Sequence, residues 1–348
     1  MIFAFTDEQE SLRDAVRELA TRGRTEPVPG DAPHDPALWS ALAELGALGL
    51  PFPEASGGMG ASPVEVMIVA SELGRAGIRT AYAEAMVAGS LLAASRDGGE
   101  LLGSLCAGDS FVVPALYEPN RAWSLEPASV MADGDRLTGV REPIPYGAAA
   151  DAVVTSARDA DGVAVFVIES PALSGARLDL AGVAARRLKG AEAAAVARAV
   201  NLGTLTLCAE ALGAMDTALT MTVEYLKTRK QFGVPLARFQ TLTQRAADMY
   251  TSLELARSTV QFAAMTLAAD PDEAATIDRL KVVVGKAGRH IGQEAIQLHG
   301  GIGVTAEYAV GHLTARLTAI EHSYGDTSQH LAALAARVGD YEAVDLIG

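Results

Sequence analysis

Arg229 and the four residues that follow it, Lys-Gln-Phe-Gly, are of types that could bind an anionic ligand. A guanidinium can donate two parallel hydrogen bonds to a phosphate. The ring of Phe232 can pack on a flat heterocycle, and the amides of Gln231 and Gln240 can bond to the edge of such a ring. A structural interpretation is also open, since a glycine such as Gly233 after a long helix is an ordinary C-cap.

The segment Gln297–Gly303 (Gln-Leu-His-Gly-Gly-Ile-Gly) is a second group with binding chemistry. The glycines, including Gly300 and Gly301, let the backbone approach a ligand closely, and their N–H groups can point at phosphate oxygens. The same glycines suit a plain turn between two helices. His299 by itself is expected to be a packed histidine rather than a ligand or a base.

A third group lies in Ser323–Gln329 (Ser-Tyr-Gly-Asp-Thr-Ser-Gln). Asp326 could cap the helix that follows. The hydroxyl of Thr327 and the amide of Gln329 could also bond a phosphate or a sugar hydroxyl at the start of that helix. Both interpretations stay open at this point.

The composition is that of an acidic globular protein. The 348 residues carry a formal net charge of −15, and 49% of them are hydrophobic. This charge argues against a protein that tracks nucleic-acid phosphates. Two cysteines and six scattered histidines argue against a disulfide framework and against a metal site. The apolar runs are too short to span a bilayer, and the first residues lack the pattern of a signal peptide, so we expect a cytoplasmic protein.

The elements that must position these groups fall into three predicted domains of an α+β fold. Residues 1–109 predict an N-terminal helical domain that starts with a capping box at Thr6–Gln9. Residues 110–196 contain short β-branched runs divided by turn residues, which predict an antiparallel β-domain. Residues 197–348 are rich in helix formers and predict a C-terminal four-helix bundle.

Taken in order and spacing, the three groups resemble the acyl-CoA dehydrogenase family. The segments that carry the resemblance include Phe52–Gly60, an early loop with three glycines, and they span the chain from there to the last group. The C-terminal segments are Arg229-Lys-Gln-Phe-Gly-Val-Pro-Leu-x-x-Phe-Gln240, Ala247-Asp-Met249, Gln297-x-x-Gly-Gly-x-Gly303 and Tyr324-x-x-Thr-Ser-Gln329.

The resemblance implies FAD as the cofactor and an acyl-CoA thioester as the substrate. Family members remove the α-hydrogen as a proton and pass the β-hydrogen as a hydride to the flavin, so the cofactor carries the redox chemistry. By the same resemblance, one set of residues would bind an FAD that reaches across from a neighbouring subunit, and Thr327 and Gln329 would contact the FAD of their own site. The first set is Arg229, Gln231, Phe232, Gln240, Gln297, Gly300 and Gly301.

The residues expected to act as the catalytic base are missing. Most family members carry a glutamate after the tyrosine of the last group, where this chain has Gly325. Some relatives carry the base near the start of the first bundle helix, which corresponds here to about Gly203. Asp326 is the candidate for a relocated base if the backbone shifts. Glu321 is a weaker candidate for the base and is expected to be an exposed helix-end charge.

The segments expected beside the flavin ring also depart from the family. Relatives usually have Thr-Glu-Pro followed by Gly-Ser-Asp, where this chain has Tyr117-Glu-Pro119 followed by Asn-Arg-Ala-Trp-Ser124. A strand that normally contains tryptophan appears as Pro143–Gly147. The adenine-side residues are therefore kept while the flavin-ring and base residues are changed.

This asymmetry predicts one subunit of a heteromeric acyl-CoA dehydrogenase whose unlike partner supplies the base. The chain resembles the smaller subunits of actinobacterial heterotetramers that shorten steroid side chains. The resemblance further implies a tetramer and an electron-transfer flavoprotein-type acceptor. Two alternatives remain: a self-sufficient homotetramer with Asp326 as the base, and a relative that binds acyl-CoA or flavin with another activity or none.

Overall fold

The N-terminal part of the chain is helical, and capping residues set where its helices begin. The structure is a computed structural model that describes residues 4–22 and 34–340. The capping box of Thr6 and Gln9 is present, and Asp35 caps the second helix by accepting from the N–H groups of Ala37 and Leu38. Ser62 and Glu65 form another capping box. The helices are α1 (Asp7–Arg22), α2 (Pro36–Glu44), α3 (Pro63–Arg75), α4 (Tyr82–Ala93) and α5 (Gly99–Ala107).

The middle of the chain forms a seven-stranded sheet, which is mixed rather than antiparallel as predicted. Strand β4 pairs in parallel with both β1 and β2, and it pairs antiparallel with β5. Turn residues and alternation locate strands but do not fix their pairing direction, and the long connections around β1 permit parallel neighbours. The strands are β1 (Val112–Ala115), β2 (Met131–Asp133), β3 (Arg136–Arg141), β4 (Ala152–Asp159), β5 (Gly162–Glu169), β6 (Leu178–Ala184) and β7 (Arg186–Glu192).

The C-terminal part of the chain is a helical bundle built around one long central helix. That helix, α6, begins at Ala193, inside the predicted middle domain, and ends at Thr228. By length and composition α6 is the one helix among the described residues that could cross a membrane, yet 78% of its apolar window is buried, as in a core helix. The other helices are α7 (Gln240–Ala269), α8 (Ala274–His299), α9 (Ala309–His322) and α10 (Thr327–Ala336).

Two glycines let α3 and α6 pack backbone against backbone. A Cβ atom on Gly213 would lie 1.9 Å from the carbonyl oxygen of Ser71, and one on Gly74 would lie 2.0 Å from that of Glu210. The hydroxyl of Thr217 donates to the Arg75 carbonyl across the same seam at 2.7 Å. This contact fixes the N-terminal domain on the bundle and so aligns α4 with the central part of α6.

We expect Gly213→Ala to lower the free energy of unfolding by about 1–3 kcal/mol or more, because the added methyl group forces two helix backbones apart. The matched control is Gly288→Ala on α8, where the new Cβ would meet Leu317 at an ordinary 3.6 Å. Helix propensity should make that control neutral or stabilising by up to about 1 kcal/mol. Chemical denaturation of both variants checks this, and equal midpoints would contradict it.

Candidate cofactor site and active site

Arg229 lies at the start of a small hairpin rather than before a helix C-cap glycine. Helix α6 ends at Thr228, and the Arg229 N–H donates to the Tyr225 carbonyl at 2.8 Å. Strands β8 (Lys230–Gln231) and β9 (Val234–Pro235) then pair around a two-residue turn. The φ angles of Phe232 and Gly233 are 51° and 85°, as in the primed turns that suit hairpins. The interpretation of Gly233 as a helix C-cap is therefore wrong.

The hairpin presents a free cation beside an exposed aromatic ring. The Arg229 side chain is exposed and makes no hydrogen bond or ion pair within residues 4–22 and 34–340. The Phe232 side chain is 92% exposed. A left-handed backbone at a phenylalanine costs of order 1–3 kcal/mol, so this residue is held against its own preference. The arrangement offers the phosphate and heterocycle contacts that the residue types predict.

The glycine turn after α8 lies beside the hairpin. The ring of the buried His299 packs on Tyr225, one turn before Arg229, with ring centroids 4.5 Å apart. Gly300 has a φ of 66°, and Cβ atoms on Gly300 or Gly301 would meet nothing within 4 Å. The backbone there is open to a ligand from outside.

We call this surface the adenine-side corner; it consists of Arg229, Gln231, Phe232, Gln240, Gln297, Gly300 and Gly301, all of them exposed. A free guanidinium, an uncovered ring, three amides and an open backbone fit one end of a dinucleotide such as FAD. The described part of the chain supplies no cover for it, so a ligand there would stay accessible to a second protein chain.

Thr327 and Gln329 lie on α10, and Thr327 packs against the middle of α8. A Cβ atom on Gly285 would lie 2.3 Å from Thr327 Oγ1. Gln297 follows Gly285 by 12 residues, which is about 18 Å along a helix axis. The two predicted sets of cofactor residues are therefore apart, and Thr327 is buried rather than on a surface.

The polar groups of the last segment are already used within the chain. Asp326 caps α10 by accepting from the Gln329 N–H at 2.8 Å. The Thr327 hydroxyl donates to Glu321 at 3.0 Å, and the Gln329 amide donates to the Trp123 carbonyl at 3.3 Å. Glu321 is buried and also accepts from Arg289, so the expectation of an exposed helix-end charge is wrong.

The two positions at which relatives carry a base converge on the ring of Tyr324. A Cβ atom on Gly203 would lie 2.3 Å from Val87 Cγ2 and 3.4 Å from Tyr324 Cε2. Gly325 directly follows this tyrosine and has a φ of 93°; its Cβ would lie 2.9 Å from His330 Nε2 and 3.2 Å from Trp123 Cδ1. An added Cβ atom would therefore crowd Val87 at the first position and His330 at the second.

The turn that carries Tyr324 and Gly325 is held by two residues that sequence reasoning missed. The buried ammonium of Lys281 donates to the carbonyls of Ile320, Glu321, Ser323 and Gly325. Burial lowers the pKa of Lys281. His330 bonds Asp278 Oδ1 at 2.7 Å and the Tyr324 carbonyl at 2.9 Å through its two ring nitrogens. No spacing pattern predicts these contacts. The bonds of Lys281 and the bond to Asp278 join residues 39 to 52 positions apart, and the bond from His330 to Tyr324 forms only because the chain turns between them.

Three aromatic rings fill the space between the middle domain and this turn. Tyr117 stacks on Tyr324 with centroids 5.7 Å apart, and Trp123 lies 4.9 Å from Tyr117 and 5.2 Å from Tyr324. The Tyr324 N–H donates to the Tyr117 hydroxyl at 2.9 Å. Burial raises the pKa of this hydroxyl. Tyr117, Trp123 and Tyr324 therefore pack as one aromatic group.

Glu118 survives from the family pattern, and its contacts are structural. Its carboxylate accepts from the N–H groups of Ala128, Ser129 and Val130 and from Arg121. Burial opposes its ionisation, but the hydrogen bonds from Arg121 and these amides outweigh burial and lower its pKa to about 2. This carboxylate fixes the loop that holds Trp123 over Tyr324.

Glu84 on α4 is a buried carboxyl that the sequence did not single out. Its Oε2 has no hydrogen-bond partner, and burial raises its pKa to about 7 despite the nearby Arg316. Arg316 pairs with Glu210 through two hydrogen bonds of 2.6 and 2.7 Å. Burial raises the pKa of Tyr117, Tyr146 and Tyr324, and the charge of Glu84 raises it further, which places Glu84 in the same buried region.

The order of N-terminal helices, middle sheet and C-terminal helical bundle is that of the acyl-CoA dehydrogenase fold. Family models for the N-terminal and C-terminal domains of acyl-CoA dehydrogenase match residues 6–98 and 189–339. The chain belongs to the acyl-CoA dehydrogenase family, whose cofactor is FAD and whose substrates are acyl-CoA thioesters. The predicted family, fold and cofactor are confirmed, with the sheet corrected to a mixed one.

Two relatives from Mycobacterium tuberculosis align over most of the chain. Acyl-CoA dehydrogenase FadE27 is 31% identical over 79% of this chain and 81% of its own. Acyl-CoA dehydrogenase FadE28 is 28% identical over 97% of this chain and 99% of its own.

Two solved structures also superpose over nearly the full length. The ChsE4-ChsE5 complex from Mycobacterium tuberculosis matches with a TM-score of 0.86 and 26% identity, covering 99% of this chain and 100% of that chain. A variant of the Tcur3481-Tcur3483 steroid acyl-CoA dehydrogenase (ACAD) matches with a TM-score of 0.88 and 26% identity, covering 96% and 98%.

We expect Glu118→Gln to release the Trp123 loop, because an amide cannot accept from three N–H groups as a carboxylate does. Fluorescence of Trp123 in a Trp39→Phe background, which removes the other tryptophan, reports this. The lowered pKa means that the stabilisation is present above about pH 4.3 and is lost as the pH falls towards about 2.

The unchanged loop should therefore release in acid, and Glu118→Gln should show the released spectrum at neutral pH. Glu126→Gln is the control, since Glu126 lies on the same loop and pairs at the surface with Arg158. If Glu118→Gln keeps the wild-type spectrum at pH 7, Glu118 does not fix the loop.

We expect Gly325→Ala to cost more stability than Gly134→Ala. Both glycines have positive φ angles, of 93° and 59°, but only a Cβ on Gly325 would meet neighbours within 4 Å. The left-handed backbone alone costs about 1–2 kcal/mol per residue, so any excess at Gly325 measures how tightly His330 and Trp123 fill the place of the base. Denaturation curves check this, and equal losses would show that the place is open.

Proposed function

We propose that this chain is one subunit of a heteromeric acyl-CoA dehydrogenase and that its unlike partner supplies the catalytic base. The observation that carries the proposal is the contrast between the two surfaces. The adenine-side corner is exposed and unpaired, while the place of the base is filled by Trp123 and His330. A chain with this pair of features can serve a cofactor that it shares with another subunit.

In this proposal the corner binds the adenine side of an FAD whose flavin lies in the partner. When bound, FAD supplies the hydride acceptor of the reaction. Arg229 donates to the pyrophosphate, Phe232 packs near the adenosine half, and the Gly300–Gly301 backbone approaches the phosphates. Gln231, Gln240 and Gln297 bond the remaining polar edges. The α-proton goes to a base of the partner.

The relatives support a heteromer with steroid-type substrates. The ChsE4-ChsE5 complex is named for two chains, and the Tcur3481-Tcur3483 enzyme is named a steroid ACAD. We therefore propose a heterotetramer that acts on a steroid side-chain thioester in the cytoplasm. An electron-transfer flavoprotein would accept its electrons.

The alternative is a homotetramer in which Asp326 is the base. It requires Asp326 to leave its capping bond to Gln329, and it requires Thr327 and Gln329 to turn from Glu321 and Trp123 towards an FAD of their own. The engaged state of these side chains favours the heteromer. Acyl-CoA or flavin binding without dehydrogenation is the remaining alternative.

The deciding experiment co-expresses the chain with candidate unlike subunits and measures flavin content and turnover of the purified complex. We expect Arg229→Ala to remove most of the bound flavin, because the pyrophosphate loses its guanidinium. Lys227→Ala is the charge-matched control, since Lys227 lies two residues away and pairs with Glu224. Asp326→Asn should keep turnover in the heteromer.

The visible spectrum of the chain purified alone separates the alternatives. We expect no flavin band, or a band that acyl-CoA substrates, including a steroid side-chain thioester, do not bleach anaerobically. Bleaching by the chain alone that Asp326→Asn abolishes would establish the homotetramer instead. Full flavin retention by the Arg229→Ala complex would show that the corner is not the cofactor site.

A further inference from the structure

His299 is a buried aromatic residue at the junction of the two halves of the adenine-side corner. Its side chain is 3% exposed, and its ring lies between those of Tyr225 and Tyr308, with centroids 4.5 and 5.0 Å away. Nδ1 donates to the Ala295 carbonyl at 2.7 Å, which fixes the plane of the ring. The proposed function does not require a histidine at this place.

An unbroken series of contacts runs from His299 to both parts of the corner. On one side, Gly300 follows directly and turns the backbone out with its φ of 66°. On the other side, the ring of His299 contacts Tyr225, whose carbonyl accepts from the Arg229 N–H at 2.8 Å. The hairpin then closes as the Leu236 N–H donates to the Arg229 carbonyl at 2.8 Å.

The packing around His299 leaves little freedom for the glycine turn. A Cβ atom on Gly303 would lie 3.1 Å from His299 Cβ and 3.1 Å from the Ile296 carbonyl, so the turn folds back onto the histidine. Burial lowers the pKa of His299, which favours the neutral ring that packs against two tyrosine rings. A rigid aromatic group of this kind can hold two backbone segments at a fixed separation.

We propose that His299 is a positioning residue for the cofactor: it sets the separation between the Arg229 hairpin and the Gly300–Gly301 turn so that one dinucleotide contacts both. This inference rests on the proposed function, since it concerns the corner that the proposed function assigns to FAD. It does not make His299 a ligand or a base, because its ring is buried behind the exposed surface.

Binding of ADP to the flavin-depleted complex tests the proposal, because ADP probes the adenine and phosphate contacts without the flavin. We expect His299→Ala to weaken ADP binding about tenfold to a hundredfold, as displacements near 1 Å do in preorganised sites. His299→Phe keeps an aromatic ring between the tyrosines and should recover affinity to within about threefold of the original protein. At saturating FAD, kcat of the His299→Ala complex should return to that of the original complex.

The matched control is His312→Ala. His312 lies near the same turn and bonds the Ala306 carbonyl at 2.7 Å, but it is not part of the series that reaches Arg229. We expect this variant to bind ADP as the original complex does. Thermal unfolding of each variant shows whether the compared proteins are equally folded.

The outcomes separate the inference from the function on which it rests. If the original complex binds neither ADP nor FAD at this corner, so that Arg229→Ala has no effect, the proposed function fails. If Arg229→Ala weakens ADP binding and His299→Ala does not, only the positioning role is overturned. If His299→Ala unfolds, His299→Gln takes its place. A folded His299→Gln that loses ADP affinity while His299→Phe keeps it supports the positioning role. Equal ADP affinity in these two variants overturns it.

Discussion

The turn between α9 and α10 depends on one buried ammonium group. Lys281 is 2% exposed, and its Nζ faces four backbone carbonyls, two of which belong to the end of α9. The last carbonyls of a helix lack internal partners and carry partial negative charge, so a cation satisfies them well. Without this group the carbonyls of Glu321, Ser323 and Gly325 would lose their ammonium donor, whereas that of Ile320 would keep the Ser323 N–H. The position of Tyr324, and with it the packing of Tyr117 and Trp123 against its ring, depends on these hydrogen bonds from Lys281.

These contacts of Lys281 explain how the turn keeps its shape with a glycine at position 325. Lys281 bonds only backbone atoms of the turn, so the side chain at position 325 is not needed to hold its shape. Once the turn is fixed, a glycine there leaves a space that Trp123 and His330 occupy. The glycine turn of the adenine-side corner follows the other end of α8, at His299. One helix thus contacts both the turn at Gly325 and the turn at Gly300.

Several of these features could be predicted from sequence because they depend on neighbouring residues. The capping groups Thr6, Asp35 and Ser62 locate helix starts, and Asp326 caps α10. Type and spacing single out the residues of the adenine-side corner, and the structure leaves them exposed; their contacts with FAD stay a prediction. The direction of strand pairing, the contacts of Lys281 and the stacking of Tyr117 on Tyr324 could not be predicted. They join segments far apart in the chain, and the residue types at either end allow many partners.

The contacts among Glu84, Glu210 and Arg316 also join distant segments and could not be predicted from sequence. These residues come from α4, α6 and α9, so their charges join the N-terminal domain to the bundle. Burial disfavours the charge on Arg316, but the paired Glu210 outweighs it and raises its pKa.

Glu84 then remains a second carboxyl beside an arginine that is already paired. A buried carboxylate with an unpaired oxygen costs about 1–3 kcal/mol or more. Because its pKa is about 7, Glu84 can take up a proton near neutral pH and avoid much of that cost. Near neutral pH Glu84 therefore carries its charge only part of the time, which reduces the cost of burying it between the N-terminal domain and the bundle.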